Sequence, residues 1–349
     1  MNKNEKEKNE VNDKNIKVNE DKNINNDEDK NYDVKVLHEI KIAYAKSGLD
    51  NTFAYVSFYD IPYLVFSSKE NSIISYNLKE LSVATEIKNA HENSISKFRS
   101  YEKNINTIYI LSISSSCSNV KIWNFKNWEC IFNLSQRHII GSMFASIYIS
   151  KDNKDYVVTS SSNDSEFIRL FDFNGKEIFA FDDSQGKVLI LDYFIDKNKY
   201  YIIAGMHNYV KAFNLDENKL YHKYSELEFS DWHSSIKIHK SDDTVKLIDS
   251  CWGNDYLRIW DFHKGILLSK FQVGGKTIRS MCQVDDNCYY MGCRDHTIKL
   301  VDIKNEKVLN SFCIHKDWVV TIRKIKNSKF GECYASQGLT DKEDIKIWK

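Results

Sequence analysis

The chain has 349 residues with 49 Lys or Arg against 49 Asp or Glu, so its net charge is zero and no global field would draw it to nucleic acid or to an acidic membrane. Hydrophobic residues make up 42% and aromatics 13%, enough for a large core, yet no run approaches the eighteen or so consecutive apolar residues of a membrane-spanning helix.

Residues 1–32 are almost wholly Lys, Glu, Asp and Asn, with seven Lys against nine acidic residues. Such a segment has too little apolar surface to offset the entropy of ordering, so a disordered tail is expected. It has no apolar stretch that would act as a secretion signal, and the expected location is cytoplasmic or nuclear. The alternation in Asp33-Val34-Lys35-Val36-Leu37-His38-Glu39-Ile40-Lys41-Ile42 predicts the first strand.

Seven short alternating stretches follow, each closing on an aromatic or apolar residue and six of them then on Asp or Asn. The closing pairs are Tyr76-Asn77, Trp123-Asn124, Phe171-Asp172, Phe213-Asn214, Trp260-Asp261 and Val301-Asp302, and the last stretch closes on Trp348. Their spacing of 41 to 48 residues is self-similarity at the period of a repeat fold. In the last repeat, strands are expected at Val308–Phe312, Val319–Ile325, Glu332–Ser336 and Asp344–Trp348. The chain stops one residue after Trp348, where the other repeats continue into a further strand. The early strand at 33–42 supplies what the end lacks. With 12 glycines and one proline, the turns are expected to rely on Asn, Asp and Ser.

Met291-Gly292-Cys293-Arg294-Asp295-His296-Thr297-Ile298-Lys299-Leu300-Val301-Asp302 and Ile314-His315-Lys316-Asp317-Trp318-Val319-Val320-Thr321-Ile322 carry a strand–turn–strand and a repeat start that resemble the WD40 family. The resemblance spans residue 33 to the end. It implies an all-β, seven-bladed β-propeller of four-stranded antiparallel blades, occupying 33–349, its ring closed by the N-terminal strand as the outer strand of the last blade. It further implies that a His before the inner strand and an Asp in the following turn hydrogen-bond across a blade. His91, His138, His233 and His315 are candidates for the first role and Asp295 and Asp341 for the second, with Trp123, Trp260 and Trp348 as structural closers. Repeat six has Gly274 or Gly275 in the His place.

Catalytic signatures are missing: there is no nucleophile elbow, no H-E-x-x-H and no dinucleotide fingerprint. Gly274-Gly275-Lys276-Thr277 lacks the first glycine of a phosphate loop. The eight cysteines never form C-x-x-C, so free thiols are expected, with no metal and no cofactor. Cys282, Cys288 and Cys293 fall on two neighbouring strands. No Arg-Arg pair occurs, against the phosphoinositide-binding propellers, and basic clusters interleaved with aromatics are missing, against nucleic acid.

The family's pattern sends Trp318, Arg279, Thr277, Arg294, His296, Lys187 and Ser94 to its upper face, the usual binding surface. Trp232 and Trp252 are as readily core as surface. The expected function is a non-catalytic scaffold or adaptor that binds a peptide or protein segment there. The alternative is a substrate receptor or structural subunit of a large complex, such as a ubiquitin ligase, RNA-processing or trafficking assembly. An enzyme with a central-channel site would need convergent carboxylates or His, which the inner strands do not repeat.

Overall fold

The computed structural model describes residues 34–41, 53–68, 71–114, 119–134, 143–161, 167–181, 184, 187–226, 233–241, 244–339 and 344–349. The expected tail at 1–32, His138, Trp232 and Asp341 lie outside them. Strands are numbered in chain order. After β1 (Val36–Ile40), blade 1 holds β2 (Ala54–Phe58), β3 (Ile61–Ser67), β4 (Ile73–Asn77) and β5 (Ser82–Ile87). Blade 2 holds β6 (Ile95–Asn104), β7 (Thr107–Ser114), β8 (Asn119–Asn124) and β9 (Cys130–Leu134). Blade 3 holds β10 (Met143–Lys151), β11 (Lys154–Ser161), β12 (Arg169–Asp172) and β13 (Glu177–Ala180). Blade 4 holds β14 (Val188–Asp196), β15 (Lys199–Met206), β16 (Val210–Asn214) and β17 (Lys219–Tyr224). Blade 5 holds β18 (His233–Ser241), β19 (Thr244–Cys251), β20 (Tyr256–Asp261) and β21 (Ile266–Gln272). Blade 6 holds β22 (Ile278–Gln283), β23 (Cys288–Cys293), β24 (Ile298–Asp302) and β25 (Lys307–Phe312). Blade 7 holds β26 (Val319–Ser328), β27 (Gly331–Gly338) and β28 (Ile345–Trp348).

These form seven four-stranded antiparallel sheets, and in the seventh β1 is the outer strand, pairing Ile40 with Ile345 and His38 with Ile347. The architecture is therefore a seven-bladed β-propeller closed by the N-terminal strand, which is shorter at both ends than the alternation at 33–42 predicted. Closure is sealed by packing as well as by hydrogen bonds. Ile40, Ile345 and Ile347 of blade 7 share one buried cluster with Phe53, Leu64, Phe66 and Tyr76 at blade 1.

The middle strands are packed on both faces by neighbouring blades, which explains their near-continuous apolar runs. Ile73–Asn77 is buried at every position, whereas the outer strand Ser82–Ile87 is exposed at four of its six positions and buried at none. The Asp or Asn that ends each repeat stretch has a local cause. Asn77, Asn214, Asp261 and Asp302 each use a side-chain oxygen to accept two backbone N–H groups of the next turn, for example Lys79 at 2.8 Å and Glu80 at 3.1 Å for Asn77. Asn124 and Asp172 make the same Asx turn. The tight turns between inner and second strands place Tyr59-Asp60, Asp152-Asn153 and Lys197-Asn198 at positive φ, the geometry of a two-residue hairpin. Asn and Asp do fill most of the glycine role there.

Candidate functional site

In each blade, the start of the inner strand and the end of the second strand lie at the same end of the antiparallel sheet. Trp318 lies one residue before β26, Arg279 is the second residue of β22, Arg294 and His296 lie in the β23–β24 turn, and Trp252 follows β19. The topology thus brings residues from blades 5, 6 and 7 to one mouth. The Trp252 and Trp318 rings meet edge to face with centroids 5.8 Å apart. The Arg294 guanidinium lies 4.3 Å from the Trp318 ring centroid and 5.6 Å from that of Trp252, and Arg279 lies 4.7 Å from Trp252. All four side chains are half-buried, so the stack is fixed on one side and open on the other. Such cation–π contacts hold the guanidinium planes in place without consuming all their hydrogen-bond donors.

Trp318, Arg279 and Arg294, expected together on this face, are brought together. Lys187 lies just before β14 and lines the central cavity, and Ser94 is half-buried before β6. Thr277 departs from the expectation. It is fully buried, its hydroxyl accepts the Gly253 N–H at 3.2 Å and its carbonyl accepts the Arg294 N–H at 2.8 Å. It therefore fixes the Trp252 and Arg294 loops relative to each other instead of presenting itself at the surface. Trp252 completes the stack and was not separable from core by its sequence alone. Its repeat's candidate, His233, is the first residue of β18 and not a loop residue that would mark the register.

Beneath the mouth, the inner strands of blades 2 to 7 enclose a cavity of about 620 Å³. Lys97, Arg99, Lys187, Lys237, Arg279 and Arg323 line it, against a single carboxylate among the described residues, Asp192.

The resemblance implied a His-to-Asp hydrogen bond across a blade; only the last repeat offers both candidates, His315 and Asp341, and Asp341 lies outside the described residues. In blade 2, His91 Nε2 meets Ser112 Oγ at 2.7 Å, and Trp123 Nε1–H donates to the same oxygen at 2.9 Å. Blade 7 repeats this with His315, Ser336 and Trp348 at 2.7 and 2.9 Å. Burial, assisted by Lys121, holds the His91 pKa down at about 3, so the ring is neutral at physiological pH. Asp295 has no such His in its blade; its carboxylate accepts from the Thr297 N–H at 3.1 Å and hydroxyl at 2.5 Å, stabilising its own turn.

Blade 5 solves the same position differently. Asp249 replaces the serine, accepts Trp260 Nε1–H at 2.6 Å and pairs with the buried Arg258 guanidinium. His233, the first residue of β18 and not a loop residue, meets Asp249 Oδ2 through Nδ1 at 2.8 Å. With Cys251 these residues have donor atoms within 4.8 Å of one another, a grouping that metal sites share. Here Arg258 Nη2 already contacts both Asp249 and Cys251, the latter at 2.7 Å, so a guanidinium occupies the place a cation would take. Cys282, Cys288 and Cys293 do not form such a grouping among the described residues. Burial pushes the Cys288 and Cys293 thiols up to about 11 and about 12, which keeps them protonated.

No family model matches the chain, and no curated protein matches it either.

Proposed function

We propose that this chain is a WD40-like propeller that works as a non-catalytic scaffold or adaptor in the cytoplasm or nucleus, holding a peptide or protein segment on its upper face. The observation that carries the reading is the Trp252–Arg294–Trp318 stack with Arg279 beside it at the mouth. Trp and Arg bring large contact area and directed hydrogen bonds, and they dominate binding energy where they cluster. Because the stack is preassembled, docking spends little ordering entropy on it. The His–Ser–Trp triads of blades 2 and 7 support the family part of the reading, since the resemblance assigned a hydrogen-bonding role within the blade to His91 and His315 and a structural one to Trp123 and Trp348.

The test is quantitative affinity purification of the full chain beside a Trp318→Ala, Arg294→Ala variant with an unchanged circular dichroism melt. A protein that co-purifies with the wild type and drops about tenfold or more with the variant supports the upper-face site. Partners that persist on the variant move the binding surface to the rim or the opposite face.

A further inference from the structure

Six inner strands carry a bulge directly after their first residue, which puts them in a common register. In that register the fifth residues share one level of the channel: Arg99, Ile147, Asp192, Lys237, Cys282 and Arg323. Three cations therefore converge at one level with one carboxylate. Asp192 is engaged by Arg99, whose Nη1 lies 3.5 Å from Asp192 Oδ1. Arg323 Nη1 donates to the backbone oxygen of its neighbour Ile322 at 2.9 Å. The Lys237 ammonium has no hydrogen bond or ion pair among the described residues. Burial, against the attraction of Asp192 and with the repulsion of Arg323 and Arg99, holds the Lys237 ammonium below its usual range.

Two residues nearer the mouth on the same strand face, Thr321 is 1% exposed and Ser280, from the neighbouring blade, 7%. Both line the cavity, and neither hydroxyl has a hydrogen-bond partner among the described residues. His233 Nε2, also lining the cavity, is in the same state. Buried polar groups are almost always satisfied, so orphan hydroxyls facing convergent cations describe the complement of an oxyanion. Two strand residues span about 7 Å, more than one carboxylate or sulfate bridges while holding both levels. The cavity volume lies within the usual range of small-molecule sites.

We propose that the central channel binds a compact anion bearing two or more linked phosphates, with oxygens accepting from Ser280 and Thr321 at the upper level and from Lys237 and Arg323 at the lower. The ligand is separate from the partner on the upper face and is held by different residues. A bound polyanion relieves the cation–cation repulsion of the empty channel.

The probe is inorganic tripolyphosphate, added to the full chain and followed by calorimetric titration and thermal melting. At about 1 mM it is expected to raise the melting temperature and to bind with a stoichiometry of one. Lys237→Met and Arg323→Gln each weaken binding about tenfold, and Thr321→Val weakens it by less. Without ligand, Lys237→Met melts no lower than wild type, because it removes a like charge from a buried level; this also verifies folding. If Lys237→Met does not fold, the Thr321→Val affinity alone decides. Absence of a melting shift, an affinity unchanged in the channel variants, or equal binding of sulfate each overturns the proposal. The Trp318→Ala, Arg294→Ala variant separates the two sites: tripolyphosphate binding is retained there even where partner capture fails, and its loss in that variant would place the anion on the rim and overturn the channel site.

Discussion

At single residues, the decisive contrast is between the serine of blades 2 and 7 and the aspartate of blade 5. Ser112→Ala removes a neutral hydroxyl shared by His91 and Trp123 and leaves two buried polar groups without it, an expected cost of about 1–3 kcal/mol. Asp249→Ala strands the Arg258 guanidinium, 4% exposed, and costs about 3–5 kcal/mol. Equal melting of the two variants would refute this ranking. The pair also sets an acid dependence. Burial alone would raise the Asp249 carboxyl, but Arg258 and then His233 outweigh it and bring its pKa from 3.8 to about 2. A depressed carboxylate contributes stability that is complete above its unfolded value and is lost as pH falls through the folded one. The stability gap between wild type and Asp249→Asn is therefore expected to be constant near neutrality and to close from about pH 4 down to pH 2. A gap that stays open over that window, measured by denaturant unfolding, would mean the carboxylate is not held down.

At the level of strands, much was legible because each repeat writes its own signature. Alternation marked the third strands, and the Asx turn after each of them explains why Asn77, Asp172 or Asp302 recurs at that place. Trp318, Arg279 and Arg294 were legible as a group because the start of an inner strand, where Trp318 and Arg279 lie, and the turn between second and third strands, where Arg294 lies, belong to the same face in the resemblance. The channel was not. Arg99, Lys237 and Arg323 stand one to a blade, each alone in its segment, and only alignment of the inner strands on their bulges places them on one level. Close approach of neighbouring blades was equally hidden. A Cβ on Gly292 would lie 2.5 Å from Ser280 Oγ and 2.6 Å from the Val319 carbonyl oxygen, so β23 admits the start of β26 only because it has no side chain there. Gly331, at φ +76°, meets nothing within 4 Å. Gly292→Ala is expected to destabilise by about 1–3 kcal/mol through overpacking, and Gly331→Ala by about 1 kcal/mol through backbone strain alone. A chemical-denaturation ranking with Gly331→Ala the worse of the two would show that blade 7 shifts freely away from blade 6.

For the whole ring, the stability of any blade depends on having a neighbour on each face, and β1 is the only outer strand drawn from the other end of the described chain. Removing residues 34–41 leaves β28 as an open edge and uncovers Ile345 and Ile347, both fully buried in the closed ring. Loss of Ile40 burial alone costs about 2 kcal/mol, before the ladder to β28 is counted. The larger effect is on cooperativity. A closed ring has no terminal repeat from which unfolding can start, whereas an open array of stacked units frays from its exposed end. The deletion variant is therefore expected to melt at a lower temperature and over a broader range, with tryptophan fluorescence, dominated near the break by Trp348, leading the circular dichroism signal. Coincident transitions at the wild-type temperature would mean that packing between blades holds the ring without the strand that closes it.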